Sequence, residues 1–347
     1  MPNPSCSGSM SPRRAALTLF SAGFVFVMLM AAPAPAPSRV LPAGIGDVAT
    51  FKAMADRIGG GESYYEVFGD ELRRRGYPAR SVFNWRTPLL LSTLARVPEP
   101  AIRGVLAALG LLLFAATLRI TAHEPLWVLS SDFMQAGAVL PVVTYGALVM
   151  GEVWAGILVG LSVCMFAFER PGLAIVFGLA ALFLRELAAP YCLACALAAL
   201  AQRRWREIGG WAGGACLYGA YYAWHVVQVR AHQLPTDIGH RTSWLNIGDL
   251  TSLLGKAEWH AWLLAAPPWV TALALAAVIL GIFAARAPLH VRLATGVYVG
   301  FFLVAGQSFN VYWGLVAWPS WAVASGYGLQ AVIESVRTLA ASRQPPA

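Results

Sequence analysis

The chain of 347 residues is 58% hydrophobic and only 12% charged, and its mean hydropathy of +0.61 lies outside the usage of soluble domains. That composition points to a polytopic membrane protein. The net charge of +8 would suggest a nucleic-acid partner in a soluble protein, but arginines that flank apolar runs are topology signals first, and no nucleic acid is expected.

The N-terminus carries Arg13-Arg14, an apolar stretch from Ala15 to Met30 and then Ala-Ala-Pro-Ala-Pro-Ala-Pro, an arrangement that imitates a secretory leader. Cleavage after Ala32, Ala34 or Ala36 would set a proline just beyond the scissile bond, a poor fit to a protease cleft. An uncleaved first transmembrane helix over 15–32 is therefore expected. Further runs near 101–118, 129–149, 153–168, 171–185, 187–201, 209–229, 261–285, 289–306 and 311–332 bring the expectation to about ten spans.

With a cytoplasmic N-terminus (1–14) and C-terminal tail (333–347), the inner segments receive Arg13, Arg14, Arg119, Arg170, Arg203, Arg204, Arg206, Arg286, Arg292, Arg337 and Arg343. The short outer connections hold Arg185 alone. This asymmetry predicts a multi-pass protein of the cytoplasmic (inner) membrane with both termini inside. Two outer loops are large, 33–100 and 230–260, the second lying within a transmembrane bundle that spans 101–332.

In the first outer loop, Gly44-Ile45-Gly46-Asp47 precedes a helical stretch to Arg57, and Asp47 suits an N-cap or first-turn position. After Gly59-Gly60-Gly61, the stretch from Glu62 to Arg75 places Tyr65, Phe68 and Leu72 on one stripe, with Tyr64 and Val67 alongside. That pattern predicts a second amphipathic helix lying on the membrane interface. Phe83 to Leu90 reads as loop re-entering the membrane surface.

Five cysteines, Cys6, Cys164, Cys192, Cys195 and Cys216, fall almost entirely in apolar runs, which argues against a secreted disulfide framework. Cys192 and Cys195 have zinc-like spacing but no second Cys or His pair near them, and are read as packing residues. No phosphate loop, serine elbow, His-Glu-x-x-His or dinucleotide fingerprint stands at a credible place.

The polar residues gather on the predicted outer side: Asp47, Glu152, Arg185, Glu186, His225, Arg230, His232, Asp237, His240, Arg241, Gln307 and Asn310. An ionisable residue in a span costs about 2.5 to 3.5 kcal/mol and faces a partner or a hydrated cavity, so their convergence predicts an outward cavity. Each has a plainer alternative. Glu152 can mark a turn, Arg185 can snorkel or pair structurally, and His225 can belong to the aromatic belt of Tyr221 to Trp224. Belt membership also accounts for Gln307, Asn310, Tyr312 and Trp313, and an N-cap role for Asp47. Adjacent helical residues point about 100° apart, so Arg185 and Glu186 can share a pocket only where the helix breaks, which Pro190 favours.

A first span followed by a long outer loop with Gly46-Asp47, two juxtamembrane helices, Gly151-Glu152-Val-Trp-Ala-Gly between spans and Leu184-Arg185-Glu186 at an outer helix edge resembles the GT-C superfamily of integral-membrane glycosyltransferases. The resemblance runs from about Arg13 to Arg337 and rests on short motifs. It implies an all-α, polytopic GT-C-like bundle with two juxtamembrane amphipathic helices, a polyprenyl-phosphate-sugar donor, a lipid or glycan acceptor, and contact with membrane lipids. It also implies Asp47 as general base and Arg185 stabilising the departing polyprenyl phosphate; from the outward polar cluster, Glu186, Glu152, His225, Gln307, Asn310 and Tyr312 are expected as substrate-binding residues.

The pattern departs from the family in having one acidic residue at the loop's start, a short chain and no terminal soluble domain. A divalent metal cofactor is left open with no ligand set behind it. The competing expectation is a lipid or polysaccharide translocating protein, or a scaffold of envelope assembly, in which the same cavity binds a headgroup without chemistry.

Overall fold

In the computed structural model, the described residues are 10–33, 46–122, 129–239, 243–245, 247, 249–307 and 309–343. The Pro-Ala segment beyond Pro33, with Gly44 and Ile45, lies outside them, as do Cys6, His240 and Arg241. All regular structure among the described residues is helical, apart from an isolated antiparallel bridge between Leu245 and Ala305.

Helix α1 (Pro12–Ala31) starts on a Ser11 side-chain cap with proline at its first position. The first large loop contains α2 (Asp47–Gly59), α3 (Tyr64–Arg74) and α4 (Pro88–Leu94). Then follow α5 (Glu99–Thr121), α6 (Leu129–Val139), α7 (Tyr145–Val149), α8 (Gly151–Ala167), α9 (Pro171–Leu184), α10 (Ala189–Ala201) and α11 (Trp205–His232). The last four are α12 (Leu250–Glu258), α13 (Pro268–Phe283), α14 (Leu289–Val304) and α15 (Gly314–Ser342).

By length and composition, α1 and α5 are long and apolar enough to cross a membrane, and α8, α9, α10, α13 and α14 are shorter apolar helices. The run predicted as one span over 129–149 is divided into α6, a 3-10 turn at Leu140–Val143 and α7. Pro141 in that turn lacks the N–H that would continue α6. Helix α15 runs on past 333 to Ser342.

The centre of the molecule is α15, against which α13, α6, α1 and α8 pack. Its Trp318 and Trp321 are buried, and the Trp318 indole donates to the Ala257 carbonyl at 3.0 Å. Glycines let the helix backbones approach: a Cβ on Gly281 would run into the Ala324 carbonyl, and one on Gly328 into that of Ala277.

A second apolar core joins α2 and α3. Phe51, Met54, Ile58, Tyr65, Val67, Phe68, Leu72 and Trp85 close on one another and on Val149 and Val229 of the main bundle. This corrects the interfacial placement of the α3 stripe: Val67 and Phe68 are fully buried against α2 and α11, where protein side chains cover them better than a headgroup layer would. The stretch 83–90 is likewise more ordered than a loop, with a 3-10 turn at Val82–Asn84 and then α4, which Pro88 starts.

Two ties clamp this subdomain to the end of α11 and the segment that follows it. Arg73 Nε donates to Asp237 Oδ1 at 2.7 Å and its Nη2 to the His232 carbonyl at 2.7 Å, while Arg80 N donates to the Ile238 carbonyl at 3.0 Å.

Candidate functional site

Helix α9 ends at Leu184, and Arg185 takes an extended backbone (φ −155°, ψ 118°) before a 3-10 turn at Glu186–Ala188 leads into α10. Pro190, in the first turn of α10, has no N–H to donate back across this junction. The break removes the 100° separation of a continuous helix, and Arg185 and Glu186 both line one cavity of about 550 Å³.

Asp47, the first residue of α2, stands on another wall of the same cavity. Its Oδ1 accepts from the Tyr77 hydroxyl at 2.7 Å. Burial first, and then Asp47 itself, push the Tyr77 hydroxyl up to about 12, so it remains a donor to the carboxylate. Asn310 and Tyr312 complete the set of expected residues on the cavity wall.

Glu152 lies behind that wall. In the first turn of α8 it is 1% exposed, and its Oε1 accepts from Arg185 Nε at 2.8 Å. Arg86, from the segment before α4, enters from the opposite side, with Nη2 at 3.4 Å from Glu152 and Nη1 at 3.5 Å from Glu186. Its guanidinium also sits over the Phe51 ring at 5.5 Å. Burial alone would lower the Arg86 pKa, but Glu152, Tyr312 and Asp47 together outweigh it and hold the value above the ordinary one, which keeps the cation.

Arg185 Nη1 is ion-paired with Glu186 Oε1 and shut off from solvent. Three carboxylates, Asp47, Glu152 and Glu186, thus surround two guanidiniums, Arg86 and Arg185.

Besides Glu152, two expected residues fall outside the cavity lining. His225 is fully buried, with Nδ1 at 2.9 Å from the Tyr65 hydroxyl and Nε2 at 3.2 Å from the Trp85 carbonyl. Both ring nitrogens are spent on docking α3 and the following loop to α11, which leaves none for a substrate. Gln307 Nε2 donates to the Ser243 carbonyl, and its backbone N–H donates to Asn310 Oδ1 at 2.8 Å. Those two side chains shape the turn that forms one wall.

The cavity also contains residues the sequence reading did not assign. They are Arg86 and Tyr77 from the first loop, Tyr218 and Tyr222 from α11, and an aromatic end made by Trp244, Phe301 and Trp313. Trp313 stacks between the other two, at 6.0 Å from Trp244 and 6.1 Å from Phe301. Arg86 had one signal, a lone cation between Trp85 and Thr87-Pro88 in an otherwise apolar stretch. Among the described residues, no group of three or more His, Cys, Asp or Glu side chains is placed to hold a metal ion.

No family model, no curated protein and no solved structure matches this chain.

Proposed function

We propose that the chain is a polytopic protein of the cytoplasmic membrane whose outward cavity binds the phosphate end of a polyprenyl-phosphate sugar. The sugar is transferred there to a lipid or glycan acceptor, as in a GT-C glycosyltransferase. Asp47 and Arg185 carry the reading: a carboxylate from the first loop and a buried guanidinium from a broken helix stand on the wall of one cavity. Exposed apolar side chains on α1, α5 and α11, among them Phe20, Leu111 and Leu217, suit contact with lipid. The mostly apolar cavity wall, with Phe51, Leu72, Phe83 and Phe309, suits a prenyl chain.

In this mechanism Asp47 accepts the proton of the acceptor hydroxyl as its oxygen bonds to the anomeric carbon. The bond from that carbon to the phosphate oxygen breaks, and its electron pair leaves with the polyprenyl phosphate. Arg185 and Arg86 stabilise the charge that develops there, because guanidinium stays protonated and forks onto phosphate oxygens. Glu152 and Glu186 hold the two guanidiniums in place.

The test is incubation of the purified protein with labelled polyprenyl-phosphate sugars and a membrane lipid extract. A new labelled lipid or glycan, lost in Asp47→Asn, supports the transferase. Donor binding without any product would favour the non-catalytic translocating or envelope-assembly role, and absence of donor binding would refute the cavity assignment.

A further inference from the structure

The charge balance of the cavity leaves a difficulty. Two guanidiniums already face three carboxylates, so a phosphate group placed among them meets no excess of positive charge. The missing cation is found one layer deeper. Lys256, on α12, is fully buried, and its ammonium touches the Ser252 hydroxyl and lies 3.4 Å from the Ser252 carbonyl. The ammonium also sits over the Phe302 ring at 5.4 Å. Among the described residues no carboxylate lies within ion-pair distance of it.

Only a glycine separates this lysine from the cavity. Gly306 lines the aromatic end beside Trp313 and Trp244, and a Cβ built on it would stand 3.5 Å from Lys256 Cε and 3.2 Å from the Trp313 ring. Its φ of +111° is one that side-chain-bearing residues rarely adopt. The lysine stem therefore packs directly against the backbone of Gly306 at the cavity wall, with no side chain between them. Trp313, on the same stretch of wall, keeps a buried indole N–H with no partner.

Resting on the lipid-phosphate reading of the cavity, we infer that Gly306, Trp313 and Lys256 form an anion subsite. It takes a phosphate monoester at the aromatic end, with Lys256 supplying the cation that the Arg86 and Arg185 cluster does not. Burial holds the Lys256 amine down at about 8, against the pull of Asp249, so the subsite is charged at neutral pH and discharges in mild alkali. The other titratable groups near it are Asp249 and Glu258 on α12, His260 beyond it, Tyr298 on α14 and Tyr312 on the 310–313 turn. Helix α13 has none, and α1 and α15 carry theirs in distant turns, at Arg13, Arg14, Tyr327, Glu334 and Arg337.

The test is binding of farnesyl phosphate to the full-length protein in detergent, by titration calorimetry, with farnesol and inorganic phosphate as separate arms. Wild-type affinity for farnesyl phosphate falls about fivefold between pH 7 and 9, a range in which a phosphate monoester is already mostly the dianion. Lys256→Met lowers affinity about tenfold at pH 7, and Lys256→Arg binds with no such pH dependence because guanidinium stays charged. Farnesol binding is unaffected by either change.

Preference for farnesyl phosphate over inorganic phosphate assigns the subsite to a lipid source, and equal lysine-dependent binding of inorganic phosphate assigns it to a free one. Farnesyl phosphate binding that depends on Arg185 but is indifferent to Lys256→Met and to pH overturns the subsite and leaves the cavity reading standing. No binding by the wild type overturns both.

Discussion

Arg185 Nε donates to Glu152 Oε1 at 2.8 Å across the interface of α9 and α8, with side-chain exposures of 2% and 1%. Removing one partner of so deeply buried a pair leaves an uncompensated charge, at a cost of about 3 to 5 kcal/mol. Glu152→Ala is therefore expected to lower the thermal unfolding midpoint sharply, and the double change Glu152→Leu with Arg185→Met to recover much of it. A Glu152→Ala protein that melts with the wild type would show that the pair does not carry the junction.

Asp47 is at the start of α2 and takes no part in either apolar core. Asp47→Asn keeps the shape and an acceptor for Tyr77, so the fold and donor binding should persist. Turnover with labelled donor should drop by about a hundredfold or more, the usual worth of a general base. Undiminished turnover would remove Asp47 from the chemistry.

The ion pairs of α2 and α3 and the Arg73 tie to Asp237 should respond to acid. Burial pushes the Glu71 carboxyl up, but hydrogen bonds from Arg74, Arg75 and Arg57 outweigh it and leave the group at about 2. The Arg73 hydrogen bond holds Asp237 below its ordinary value against burial. Both pKa values are depressed on folding, so their stabilisation is complete above the unfolded value of about 4 and is lost as pH falls through the folded value. The melting temperature should be level from pH 7 to 5 and fall between about 4 and 2, with a shallower fall in Glu71→Gln. A level profile down to pH 2 would contradict this.

His225 anchors α3 through Tyr65 and the Trp85 carbonyl. His225→Ala leaves those buried groups unpaired, at about 1 to 3 kcal/mol, and should loosen the first loop more than the bundle. Limited proteolysis at the exposed Gly59–Gly61 turn should accelerate while the main unfolding transition moves little. Equal cleavage rates would mean the apolar core of α2 and α3 docks the loop unaided.

Much of the helical layout was legible because apolar runs of 14 to 23 residues, such as those of α9 and α5, impose their own boundaries through arginine, proline and glycine. The third run was misread as continuous because its composition is apolar throughout, and Pro141 alone signals the break. Gathering polar residues by predicted side brought Asp47, Arg185, Glu186 and Asn310 into view together. What could not be read were pairings over long sequence separation. Arg86 meets Glu152 and His225 meets Tyr65 only because α2 to α4 fold back on the bundle, and no local periodicity encodes that contact. Lys256 was hidden for a different reason: in a region read as outer loop a lysine is expected to be solvated, and α12 buries it instead.

The brevity of α9 and α10 has a consequence for the surroundings. With 14 and 13 residues they reach about 20 Å each, against a hydrocarbon thickness of about 30 Å. On the proposed membrane reading, the bilayer must pucker toward the Arg185 junction or the junction must sit some 10 Å below the rim. In the first case the protein deforms its host, and a carrier lipid in that dimple already has its head drawn down to the level of the arginines. Thin bilayers would relieve this hydrophobic mismatch and thick ones aggravate it, so acyl-chain length becomes a control on the reaction exerted by the solvent itself.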